Sequence, residues 1–309
     1  EFYFDSRDGE NRIHAVRYTP DDGNVRGIVQ IVHGMAEYVE RYENLAEFLT
    51  KRGILVTGED HLGHGKSVSE GGSFGYFCEQ DPATVVVRDV HRLKKITEEQ
   101  YPQVPYIILG HSMGSFIARN YLCRYGSGIG GAVIVGTGMQ SAGLIFASKA
   151  MAGIQKLFCG SKHVSHFIDK AAFGGYNKRI DSPRTSSDWL SRNTENVDRY
   201  IEDELCGFTF TVNGFQTLFE LIRRLQKQEN LEKVPQNLPI LMVSGAEDPV
   251  GDYGKGVHKA CDSLKRAGVK NITVKLYEND RHELLNEDDA EVAMEDIWQW
   301  ICKEIPGIA

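Results

Sequence analysis

The chain lacks clustered cysteine. Cys78, Cys123, Cys159, Cys206, Cys261 and Cys302 are scattered over 309 residues, with no CxxC pair. No histidine stands at ligand spacing beside them, so neither a metal site nor a disulfide framework is expected. Free thiols suit a reducing compartment, and a cytoplasmic location is the expectation. Positive charge is also short: 35 Lys and Arg against 43 Asp and Glu give a formal net charge of −8. No basic cluster stands out, which excludes nucleic acid as the main partner. The opening residues do not read as a secretory leader, having no basic segment followed by an apolar run. The most apolar long window, Ile134 to Ile154, is interrupted by Thr137, Gln140, Ser141, Ser148 and Lys149. A membrane span needs about 20 nearly uninterrupted apolar residues, so no transmembrane segment is expected. Internal repeats and low-complexity tracts are missing too, which leaves an ordinary globular domain.

What the sequence does contain is alternation. Glu1 to Ser6 and Arg12 to Tyr18, separated by a turn containing Asp8-Gly9, predict an antiparallel hairpin. Gly27 to Val32, Ile54 to Thr57, Pro105 to Leu109, Gly131 to Val135, Ile240 to Val243 and Ile272 to Leu276 read as strands, most of them continuous apolar runs of buried character. Helical periodicity falls between them at Tyr42 to Lys51, Ala83 to Gln100 and Met113 to Tyr125. Strand and helix in turn imply a mostly parallel sheet wound by right-handed crossovers. The pattern breaks after about Gly136, where roughly a hundred residues carry helical periodicity only. We therefore expect an α/β core of residues 1–136 and 234–309, with residues 137–233 inserted as a helical cap.

Gly110-His111-Ser112-Met113-Gly114 fits G-x-S-x-G, and so does Gly71-Gly72-Ser73-Phe74-Gly75. Only the first has an apolar strand entering and a helix leaving, the context of a nucleophile elbow; the second is assigned to a loop. Serine is a weak nucleophile at its ordinary pKa, so it needs a base within reach and a carboxylate behind that base. Asp248 and His282 each follow a predicted strand, giving the order Ser, Asp, His of the α/β-hydrolase fold. Glu247 is the main rival for the acid. Asp252, Asp280 and Glu283 also neighbour the pair, and His258 falls in a helix. His61 and His64 are read as structural turn residues. For the oxyanion, the N–H of Met113 follows the nucleophile, and the N–H of Met35 follows the His33-Gly34 pair that ends the first buried strand.

These motifs together resemble the monoacylglycerol lipase and lysophospholipase group of α/β-hydrolases, in its bacterial form. The resemblance runs through His33-Gly34-Met35, Arg41-Tyr42, Asp60 to Ser67, Gly110 to Gly114, Asp248 and Arg281-His282-Glu283-Leu284-Leu285-Asn286-Glu287. It covers nearly the whole core, and in the cap it extends only to position and helical character. It implies hydrolysis of single-chain lipid esters, a cap shielding an apolar acyl tunnel, and no cofactor. Glu37 and Arg41 match positions that animal members use around the glycerol head group; His33, Gly34 and His111 are further candidate substrate contacts. Ala36, Tyr38 and Leu285 depart from the family pattern. Other small esters, thioesters or amides could use the same triad, and a non-catalytic binding scaffold is the rival of a different class. In the cap, Leu144, Ile145, Phe146, Met151, Ile154, Leu157 and Phe158 would share one helical face. That face either packs on the core, lines an acyl pocket, or meets a membrane surface.

Overall fold

Continuous apolar runs become strands buried on both sides. Every residue is buried in β3 (Gly27–Val32), β4 (Ile54–Glu59), β5 (Tyr106–His111), β6 (Gly131–Val135) and β7 (Ile240–Gly245). That pattern requires helices on both faces of the sheet. In the computed structural model, which describes residues 1–308, these strands join β1 (Phe2–Asp5), β2 (Arg12–Tyr18) and β8 (Ile272–Tyr277) in one eight-stranded sheet. Its order is β1-β2-β4-β3-β5-β6-β7-β8. β2 pairs antiparallel with β1 and with β4, and all other pairings are parallel. The chain therefore has the α/β-hydrolase fold expected from its sequence. The first hairpin turns at Asp8, whose side chain accepts from the N–H groups of Glu10 and Asn11.

Alternation within each strand feeds two cores. Ile28, Ile108 and Ile134 face α2 (Pro82–Gln100) and α3 (Met113–Tyr125), packing with Val90, Leu93 and Ile117. Val29, Ile31 and Val133 face α1 (Glu43–Thr50) and α10 (Ala290–Glu304), packing with Leu45, Ile297 and Ile301. α9 (Lys255–Arg266) follows β7 and carries His258.

Between β6 and β7 lie α4 (Ala142–Cys159), α5 (His166–Phe173), α6 (Thr194–Glu202), α7 (Val212–Leu225) and α8 (Gln228–Leu231). Ser141, Ser165, Asn193 and Thr211 cap the first four through side-chain oxygens, each cap stabilising its helix by about 1 kcal/mol. α7 is anchored on α3, where Asn120 donates to the Leu221 carbonyl at 3.0 Å. The apolar residues of α4 meet three fates. Ile145 is buried, Leu144 and Met151 border a cavity, and Phe146, Leu157 and Phe158 are exposed. No helix among the described residues is long and apolar enough to cross a membrane.

Candidate active site

Ser112 stands where β5 ends and α3 begins, with φ 55° and ψ −121°, a strained backbone for a residue bearing a Cβ. The flanking glycines make the turn possible. A Cβ on Gly110 would lie 2.4 Å from the Gly114 carbonyl oxygen, and one on Gly114 would lie 1.9 Å from that of Val32. Strand and helix thus cross at a distance only glycine permits. By contrast, Gly71 to Gly75 lies in a loop with Ser73 exposed.

Asp248 and His282 arrive from the loops after β7 and β8, and both are buried. His282 Nδ1 donates to Asp248 Oδ2 at 3.0 Å. Asp248 Oδ2 also accepts from Ser244 Oγ, and its Oδ1 accepts from the N–H of Val250. With Nδ1 the donor, Nε2 is left as the acceptor a base requires. Glu247, one residue away, is exposed. Ser112 and His282 border the same cavity of about 520 Å³. They make no hydrogen bond to each other in the described structure, a looseness common in catalytic pairs before substrate binds.

Met35 and Met113 border the cavity as well. Met113 opens α3, so its N–H has no intrahelical acceptor and points out of the positive helix end. Gly34 keeps the first loop close to the nucleophile: a Cβ there would be 3.1 Å from Ser112 Cβ.

The candidate substrate contacts divide. Glu37 and His111 border the cavity. His33 does not: fully buried, it donates from Nδ1 to the Gly34 carbonyl and accepts the His61 N–H on Nε2. It shapes the loop and is out of reach of a ligand. Arg41 is likewise committed elsewhere. Its guanidinium grips Glu283 in a two-pronged pair at 2.7 and 2.8 Å and also donates to Glu37 at 2.9 Å. Burial opposes ionisation of both carboxylates, yet the charge and hydrogen bonds around them win and hold both below the ordinary range. Arg41 serves Glu37 and Glu283 as a buried counter-ion and does not border the cavity.

Several residues around the site are given no part in the chemistry by the sequence alone. Tyr42 bridges Glu37 and His111 through its hydroxyl, 2.8 Å from each. Trp189, from the segment between β6 and β7, lies over the His282 ring with centroids 5.1 Å apart. Glu283 was visible only as a neighbour of His282. His61 and His64 are buried, each bonded to a backbone carbonyl, and burial lowers the pKa of His64 to about 3. Their role is packing.

Comparison with known proteins bears on this arrangement. Residues 23–289 match the family described as serine aminopeptidase, S33. The monoglyceride lipase of Rattus norvegicus is 29% identical over 88% of this chain and 80% of its own length. The monoacylglycerol lipase of Mycolicibacterium smegmatis is 27% identical over 93% of this chain and 92% of its own. Among solved structures, a highly thermostable carboxyl esterase from Bacillus coagulans in complex with glycerol superposes with a TM-score of 0.92. It is 30% identical, covering 100% of this chain and 98% of its own.

Proposed function

Because this chain belongs to the serine aminopeptidase S33 family of α/β-hydrolases, we propose that it hydrolyses esters of single-chain lipids through an acyl-enzyme on Ser112. The observation that carries this reading is the meeting, at one apolar cavity, of the strained Ser112 with the buried His282–Asp248 pair. Ser112 Oγ attacks the ester carbonyl while His282 Nε2 takes its proton. His282 then returns that proton to the leaving alcohol, and Asp248 fixes the tautomer throughout. The N–H groups of Met35 and Met113 receive the oxyanion. Water repeats the cycle and frees the fatty acid. Residues 137–233 act as a cap, supplying Met151, Leu218 and Phe219 as the wall for the acyl chain.

The head group follows from the charges on that wall. Glu37, Asp169 and Glu283 border the cavity, and no Lys or Arg does among the described residues. A phosphate would meet three carboxylates and no Lys or Arg, whereas glycerol hydroxyls would find acceptors. Monoacylglycerol is therefore favoured over lysophospholipid. The carboxyl esterase complexed with glycerol agrees with that choice. The exposed side of α4, with Phe146, Ile154, Leu157 and Phe158, would meet the lipid aggregate that holds the substrate.

Intact mass after fluorophosphonate treatment tests the nucleophile. One adduct on the wild type and none on Ser112→Ala is expected, with turnover of monoacylglycerol exceeding that of lysophosphatidic acid. A folded wild type that neither labels nor turns over either lipid would return the chain to the class of binding scaffolds.

A further inference from the structure

Arg119 is the most conspicuous charge that the reaction above does not use. It sits on α3 with 1% of its surface exposed. Among the described residues no carboxylate pairs with it; the one acidic group felt nearby is the thiol of Cys123, and burial lowers the guanidinium pKa to about 10. Its Nε and Nη2 have no hydrogen-bond partner. Burying a cation without a counter-ion is costly, so its placement calls for a compensating use.

Its one bonded arm leads to the nucleophile. Arg119 Nη1 donates to the Gly138 carbonyl at 3.0 Å and to Thr137 Oγ1 at 3.3 Å. Thr137 Oγ1 is 2.8 Å from Ser115 Oγ, which is 2.5 Å from the Ser112 carbonyl oxygen. Ser115 has one hydroxyl proton and a carbonyl can only accept, so Ser115 donates to Ser112 and Thr137 supplies the proton between the two hydroxyls. Each donor in the series polarises the next. The same carbonyl also accepts from the N–H groups of Ser115 and Phe116 at 2.9 and 3.4 Å.

The Ser112 carbonyl and the Met113 N–H belong to one planar trans peptide and point in opposite directions. Whatever fixes that oxygen therefore aims that N–H. We propose that Arg119, Thr137 and Ser115 form a buried relay of positioning residues that orients and polarises the Ser112–Met113 peptide, so that the Met113 N–H is held ready for the oxyanion. The proposal rests on the acyl-enzyme reading and adds three residues that touch no substrate.

Thr137→Val breaks the relay at nearly constant volume, and Thr137→Ser restores the hydroxyl. Kinetics on p-nitrophenyl butyrate, inhibition by a trifluoromethyl ketone of matching acyl length, and fluorophosphonate labelling separate the cases. Losing one oxyanion donor outright costs roughly a hundredfold or more, so misaiming one should lower kcat about tenfold. KM should stay within about twofold, because the donor acts on the transition state. The ketone, which places an oxyanion in the hole, should weaken by the same factor as kcat, and Thr137→Ser should recover both. A labelled, active wild type whose Thr137→Val variant keeps kcat and ketone affinity overturns the relay alone. A Thr137→Ser variant as impaired as Thr137→Val does the same. An unlabelled and inactive wild type overturns the esterase reading and the relay with it.

Discussion

The imidazole of His111, one residue before the nucleophile, donates from Nε2 to the backbone carbonyl of His282 at 3.0 Å. Its other nitrogen lies 2.8 Å from the Tyr42 hydroxyl and 3.3 Å from Glu37 Oε1. Tyr42 has one proton and gives it to Glu37 at 2.8 Å, so His111 Nδ1 must donate as well. Two donating nitrogens favour the charged form of His111. Burial opposes that charge, but the hydrogen bond to Glu37 and the negative charge there raise the His111 pKa above the ordinary value. His111 ties the elbow strand to the loop that carries the base. His111→Phe should keep the volume and lose both donors. Misplacing a catalytic group by about 1 Å can cost a hundredfold, so kcat/KM should fall between about tenfold and a hundredfold. Steady-state kinetics beside a melting curve checks this; a folded variant with unchanged kcat/KM would remove His111 from the argument.

Arg41 should govern the pH dependence of stability. Glu37 and Glu283 are held below their ordinary pKa of 4.5. Their contribution is present above that value and is lost as pH falls through their lowered folded values. Arg41→Leu leaves the buried Glu283 without a counter-ion and Glu37 with His111 alone, which should cost about 3–5 kcal/mol at pH 7. Glu283 would then have a raised folded pKa, a penalty that grows as pH rises through it. Urea unfolding at pH 7 and pH 5 should show the variant gaining stability on acidification while the wild type does not. Parallel behaviour would mean that Arg41 is not the counter-ion.

Asp248 and Glu247 should separate sharply. Asp248→Asn leaves the shape of the loop but reverses the tautomer of His282, and in a triad that loss is about 10⁴ in kcat. Glu247→Gln, at an exposed position, should leave kcat within about twofold, since surface changes away from a site seldom matter. A Glu247→Gln variant with the larger loss would invert the assignment. Both variants need one p-nitrophenyl ester assay.

What could be read from the sequence, and what could not, follows the range of the interactions. β3, β5, β6 and β7 were legible because strands buried on both faces are continuous apolar runs. The elbow was legible because its glycines answer to contacts within the motif and with one neighbouring strand. Arg41's pairing with Glu283 was not legible because the partner lies 242 residues along the chain, and no periodicity encodes such a pairing. Arg119 looked like one more helix residue. Its burial and its bond to Thr137 arise only when α3 lies against the chain that leaves β6.

The exposed side of α4 makes the last prediction. Phe146, Leu157 and Phe158 are 77%, 83% and 84% exposed, while Leu144, Ile145 and Met151 of the same helix border the cavity. A helix apolar on both sides, with one side unpartnered, suits the boundary between an acyl pocket and a lipid aggregate. Leu157→Ser with Phe158→Ser removes two large side chains from the outer side and none from the cavity wall. If that side meets lipid, turnover of long-chain monoacylglycerol in mixed micelles should fall severalfold, through a higher apparent KM. Hydrolysis of monomeric p-nitrophenyl butyrate should be unchanged, because the pocket and the bond being cut are the same. Equal loss on both substrates would assign the two residues to cap stability instead, and no loss on either would leave the outer side of α4 without a part in the reaction.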